Sequence, residues 1–186
     1  IYSNLKKAIQ YIISIHIPII LTVSLPLFLG WIYPDIFTPV HVIFLELVMG
    51  PTCSIVFENE PMEKNTMQQK PRPMTETFLN WRELGMSILQ GLMITVGVLF
   101  MYQLTLKQGG NEAQVRTMVF STLIFANIFL TLVNRSFYFS FVTTLRYKNN
   151  LLLGIITITL AILATMLFVD PVAAFFQLVH PELSDI

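Results

Sequence analysis

Along its length the chain alternates between long apolar runs and polar links. Five runs could cross a bilayer as helices, at about residues 8–29, 36–57, 84–104, 113–133 and 151–169. A helix needs about 20 residues to traverse the hydrocarbon core. In lipid every backbone polar group must be satisfied within the segment or its closed neighbours, and for runs of this length that means helices. The pattern therefore predicts an all-α fold, a polytopic transmembrane bundle of five spans. Spans one and two are joined by a short turn with Gly30, Pro34 and Asp35, and spans three and four by residues 107–111. Longer polar links cover 58–82 and 134–150. Asp170-Pro171 ends span five. The apolar stretch 172–179 that follows is too short to cross and reads as an interfacial segment.

Charge gives the bundle a direction. Lys6, Lys7, Lys64, Lys70, Arg72, Arg82, Arg135, Arg146 and Lys148 fall on one side of the alternating topology, and Lys107 and Arg116 on the other. Basic residues accumulate on the cytoplasmic side, so the N-terminus is expected in the cytoplasm and the C-terminus outside. Trp31, Tyr33, Trp81 and Tyr102 fall near the expected interfaces, where amphipathic rings prefer to sit.

Composition agrees. The 186 residues are 54% hydrophobic and 12% charged, against about 25% charged in soluble domains, and the mean hydropathy is +0.68. The expected surroundings are a lipid bilayer and an integral position, in the cell membrane. A net charge of zero leaves no electrostatic case for nucleic acid. Cys53 is alone, so no disulfide framework or zinc cluster forms, and His16, His41 and His180 are too scattered for a metal-ligand motif. No nucleotide-binding loop, no nucleophile with its base and no redox motif is present. The chain opens at Ile1, just before a span, and reads as a piece of a longer protein.

One residue breaks the apolar pattern. Glu46 is the acid lying in the middle of a span; the other ten acidic residues lie between spans or at their ends. A carboxylate at membrane depth costs roughly 2.5–3.5 kcal/mol on insertion scales, and such residues are usually functional. Gly50-Pro51 follows four residues later. Proline lacks an N–H, so Pro51 frees the carbonyl of Leu47, Pro18 that of Ser14, and Pro26 that of Thr22. An acid beside a broken helix, with freed carbonyls near it, is the physics of an ion site in a transporter. The candidate cation-binding residues are Glu46, Leu47, His16, Ser14 and Thr52, with no catalytic residue and no certain metal ligand. Cys53 reads as a small buried side chain. Asn127 with Thr131, the stripe Thr157, Ala161 and Thr165, and Gly85, Gly91 and Gly97 read as helix-packing positions.

The order of these features resembles a known family. The run Ile1-Tyr2-Ser3-Asn4-Leu5-Lys6-Lys7-Ala8-Ile9-Gln10-Tyr11-Ile12 resembles the start of the fifth membrane helix of P-type ATPases of the calcium-pump class. Pro39-Val40-His41 through Glu46-Leu47-Val48 resembles their sixth helix. Met67-Gln68-Gln69-Lys70-Pro71-Arg72-Pro73 resembles the loop motif after it, and Val169-Asp170-Pro171 is similar to the end of their ninth helix. The resemblance implies that residues 1–186 are a C-terminal transmembrane transport domain, helices five to nine, of an ATP-driven cation pump. It implies ATP and magnesium for the whole protein, bound by cytosolic domains upstream in the same chain, and a transported cation as partner. This segment alone carries no phosphorylation motif and is not expected to hydrolyse ATP. It needs no cofactor of its own.

Departures from the family bear on the cargo. Where calcium pumps offer an Asn and a Glu on the fifth helix, the matching positions here are His16 and Ile19. Where the sixth helix offers Asn, Thr and Asp, the matching positions are Glu46, Met49 and Gly50, and the acid of the eighth helix falls near Ile124. One carboxylate remains. A single negative charge suits a monovalent ion or a proton better than two calcium ions, which take six to eight oxygen ligands. The alternatives to a pump segment are a self-standing secondary transporter or channel subunit, and a membrane scaffold without transport.

Overall fold

The computed structural model describes residues 2–59, 78–135 and 150–180, with the side chains of 52–54 outside that description. The loop motif 67–73, most of both long links and residues 181–186 also lie outside the described residues. Among the described residues six α-helices and one π segment follow in order: α1 (Tyr2–Phe28), α2 (Pro39–Pro51), the π segment (Thr52–Phe57), α3 (Trp81–Lys107), α4 (Glu112–Val133), α5 (Asn150–Phe168) and α6 (Asp170–Phe175). There is no strand among the described residues. Five helical stretches among the described residues are long and apolar enough to cross a membrane, with α2 and the π segment forming one of them. The all-α bundle of five spans expected from the hydropathy pattern is the architecture observed.

Local chemistry sets the helix ends. Asn111 caps α4: its Oδ1 accepts from the Gln114 N–H at 2.9 Å, and Gln114 Oε1 accepts from the Asn111 N–H at 2.9 Å. Glu83 does the same for the start of α3, accepting the Asn80 N–H at 2.8 Å. Gly109, at φ +85°, reverses the chain after α3, and the Gly110 N–H returns to the Thr105 carbonyl at 2.9 Å. Gly30, at φ +62°, closes α1 in the same way, with the Trp31 N–H on the Pro26 carbonyl at 2.9 Å.

The two ends of the bundle are separately tied. At one end Tyr2 stacks edge-on against Phe78, Lys6 pairs with Glu83 at 2.6 Å, and Lys7 Nζ donates to the Arg135 carbonyl at 2.6 Å. The long links 58–82 and 134–150 therefore leave from this end. At the other end the Tyr102 hydroxyl meets both the Tyr33 N–H, at 3.1 Å, and the Tyr33 carbonyl, at 3.2 Å. Arg116 Nε donates there to the Ile36 carbonyl at 2.8 Å. The core between the ends is built from Tyr11, Ile15, Val98, Val119, Phe120, Leu123 and Ile124, all essentially sealed from solvent.

Several local expectations change. α1 runs unbroken through Pro18 and Pro26, both buried. Each proline removes one hydrogen bond, and packing of the buried face that carries both prolines holds the remainder in register. The break expected at Gly50-Pro51 is absent as well: the helix continues past Pro51 and passes from α into π geometry at Thr52. Of the three glycines on span three, Gly91 alone makes a close approach: a Cβ there would sit 2.8 Å from both Ile17 Cβ and the Ser14 carbonyl oxygen, whereas Gly85 and Gly97 have open space. The stripe Thr157, Ala161 and Thr165 is turned outward instead of packing helices; α5 buries Leu152, Thr159, Leu163 and Met166. Residues 170–180 fold back onto the bundle, with Ala173, Phe176 and Leu178 buried.

Candidate cation site

α1 and the second span lie antiparallel, and their contacts run in opposite order along the two: His16 meets Glu46, the Tyr11 ring meets the Phe57 ring at 5.2 Å, and the Asn4 amide meets the Glu58 carbonyl at 3.4 Å. His16 shares an outward-facing row of α1 with Ile12 and Ile20, spaced four apart. Glu46 lies in an outward row of α2 with Ile43, Leu47 and Gly50. The two rows converge, and His16 Nε2 comes to 3.1 Å from Glu46 Oε1, the side chains 40% and 46% exposed. The other ring nitrogen, Nδ1, lies 2.7 Å from the Ile12 carbonyl oxygen. The pair thus sits on an open, otherwise apolar face, with Glu46 in the middle of α2 and ahead of the change in helical geometry at Thr52.

Of the five residues named from sequence, the fold brings two into contact. Leu47 is next to Glu46 and two-thirds exposed; its carbonyl lacks the N–H that Pro51 cannot supply. Ser14 points elsewhere. It is fully buried, with Oγ 2.8 Å from the Gln10 carbonyl and 3.1 Å from Gln90 Oε1, and its own carbonyl abuts Gly91. Its partner across the bundle is α3, not Glu46. Thr52 begins the π segment, and its side chain lies outside the described residues.

Two polar assemblies escaped the sequence reading. The first joins α1, α3 and α4 inside the bundle. The Tyr11 hydroxyl donates to Asn127 Oδ1, and Gln90 Oε1 receives the Asn134 amide at 3.4 Å beside the Ser14 contact. Asn127, read with Thr131 as a helix-packing position, does join two helices, through a tyrosine hydroxyl that no spacing rule could place opposite it. The second lies at the far end. The Thr38 N–H donates to His41 Nδ1 at 3.2 Å, which leaves Nε2 to donate to the Phe176 carbonyl at 2.7 Å. Arg116, 4% exposed, adds Nη1 to the Gln177 carbonyl at 3.3 Å and pairs with Glu112. The Val179 N–H donates to Thr117 Oγ1 at 2.9 Å. Arg116 four residues after Glu112 in the first turn of a span was the available signal. Among the described residues no group of three or more His, Cys, Asp or Glu side chains forms a metal cluster.

Residues 34–186 match the family model described as "Cation transporting ATPase, C-terminus". The chain belongs to this family. The match covers spans two to five, the π segment and Glu46. Similar proteins include a calcium-transporting ATPase of Listeria monocytogenes, 29% identical over 73% of this chain and 15% of the relative. Calcium-transporting ATPase 1 of Lactococcus lactis is 26% identical over the same shares. The calcium-transporting ATPase of Bacillus subtilis is 22% identical over 96% of this chain and 20% of the relative. The chain therefore spans a fifth or less of the length of these relatives, and within the cation-transporting ATPase family it corresponds to the membrane-embedded C-terminal portion.

Proposed function

We propose that residues 1–186 are the C-terminal transport domain of an ATP-driven cation pump, and that Glu46 is the carboxylate that neutralises the ion in transit. The observation that carries this reading is an ion pair on the open apolar face of a membrane span. Charged side chains in spans face a bundle interior or a water-filled cavity, almost never lipid. A face that bears Glu46 and His16 must therefore be covered by more protein, and membrane helices of the remaining pump would cover it. The cation would enter between those helices and this face.

ATP and magnesium would be handled by cytosolic domains upstream in the same chain, which would supply the phosphorylation and nucleotide sites. The excess of Lys and Arg at the end carrying the two long links supports a cytoplasmic N-terminus and an outward C-terminus, in the cell membrane. α2 with its π segment would be the element that transmits phosphorylation to the ion, since a π turn has weaker restraint than the α-helix around it.

The test is Glu46→Gln in the full-length pump. It keeps size and removes charge, and should abolish cation-stimulated ATP hydrolysis while expression and melting in detergent stay unchanged. Wild-type turnover with unaltered ion affinity in that variant would remove Glu46 from the site and leave carbonyls and hydroxyls to build it.

A further inference from the structure

The His16–Glu46 pair holds more information than its charge. The Ile12 carbonyl oxygen can only accept, so His16 Nδ1, 2.7 Å away, is the N–H that donates to it. The neutral ring then presents a bare lone pair at Nε2. Facing it at 3.1 Å is Glu46 Oε1, which is acceptor-only when ionised. Two lone pairs cannot stand at that distance without a positive centre between them. Among the described residues neither side chain has another ion partner, and the elements packed against them offer no further charged group at this level. The positive centre is either a proton shared by the pair or a cation.

We propose, resting on Glu46 holding the transported ion, that this site is built for a borderline divalent cation of the zinc and iron(II) class, and that His16 Nε2 is a direct ligand to it. Imidazole nitrogen suits these metals, whereas calcium takes oxygen ligands alone. The ring is set as metal-bound histidines are set, with its second nitrogen donating to a backbone carbonyl that fixes tautomer and orientation. With metal–ligand bonds of about 2.0–2.2 Å, two ligands at right angles are about 2.9 Å apart and two at a tetrahedral angle about 3.4 Å apart. The observed separation lies between them. Two side chains do not fill a coordination shell. The open face of the pair leaves room for oxygen ligands from the helices that cover it, and counting carboxylates alone, which favoured a monovalent ion, overlooks the nitrogen.

The experiment uses the full-length pump and its His16→Asn variant, which removes the ring and keeps a polar side chain; His16→Gln serves as a second variant if the first is not folded. Zinc K-edge absorption is recorded on purified protein loaded with one equivalent of Zn2+, and ATPase stimulation is ranked for Zn2+, Fe2+ and Ca2+. Wild type should show imidazole scattering that the variant lacks. The variant's apparent Zn2+ affinity should fall about tenfold or more relative to its Ca2+ affinity. An all-oxygen zinc environment in wild type, or the same ion ranking in both proteins, overturns the proposal. Glu46→Gln run alongside separates the two levels: if it blocks stimulation while His16→Asn leaves the ranking intact, the ion site stands and its zinc-class chemistry falls. If Glu46→Gln has no effect, both fall.

Discussion

At the scale of single residues, the buried polar side chains matter as much as Glu46. Tyr11 and Asn127 are both sealed inside the bundle and answer one another. Tyr11→Phe leaves the Asn127 oxygen without that donor, while Tyr11→Phe with Asn127→Leu removes both ends of the bond. Interhelical hydrogen bonds in membranes are worth about 0.6 kcal/mol on average, up to about 1.7, so the double variant should be more stable than the sum of the single changes by roughly that amount. Melting of the four proteins of the cycle in detergent measures it, and strict additivity would mean the contact contributes nothing. Thr22 is the opposite case. Its hydroxyl is buried with no partner among the described residues. Thr22→Val keeps the shape and removes the unsatisfied group, so stability should hold or rise by up to about 1 kcal/mol. A clear loss would reveal a partner for that hydroxyl in the complete pump.

At the scale of elements, the crossing of α1 and α3 depends on a single glycine. A Cβ at Gly91 would strike Ile17 and the Ser14 carbonyl at 2.8 Å, and one of the two contacts is backbone that cannot turn aside. Gly91→Ala should cost about 1–3 kcal/mol through overpacking, whereas Gly97→Ala, with open space around it, should gain the few tenths to 1 kcal/mol of helix propensity. Thermal inactivation of the two variants side by side checks this, and equal losses would mean the helices are not held at this distance. The tail presents a second element-level case. Residues 176–179 are tied to α2 and α4 by His41, Arg116 and Thr117. Arg116→Met takes the donor from the Gln177 carbonyl, and from the Ile36 carbonyl beside it, and should speed amide exchange at residues 176–180 by tenfold or more, since a buried carbonyl left unpaired costs about 1–3 kcal/mol. Glu112→Gln should do little, because that carboxylate is half exposed.

At the scale of the molecule, segregation of the two bundle ends turns a charge count into a topology. Contacts of Tyr2, Lys6 and Lys7 gather the starts of α1 and α3 and the end of α4; those of Tyr102 and Arg116 gather the turns at the other end. Cysteines placed at the exposed positions Asn59 and Gln108 should therefore be labelled by an impermeant reagent from opposite sides of sealed vesicles containing the full-length pump, Asn59→Cys from the cytoplasmic side. Labelling of both from one side would contradict the proposed topology and the orientation drawn from the basic residues.

The sequence by itself determined the class of the molecule. Apolar runs near 20 residues admit one backbone solution in lipid, so five helices, their approximate bounds and the singularity of Glu46 were legible from one-dimensional pattern. A disturbance near Gly50-Pro51 was legible too, because a missing N–H is a local fact, although it takes the form of a change from α to π geometry and not of a break. The tertiary structure decided everything that depends on which faces meet. It placed Ser14 against Gly91 and away from Glu46, kept α1 whole through two prolines, and turned the stripe at 157–165 outward. It also set the imidazole of His16 on the carboxylate of Glu46, two side chains thirty positions apart in the chain. Helical periodicity fixes the angle of each side chain about its own axis; the rotation of one helix against another is set by packing across the bundle, and no sequence period encodes it.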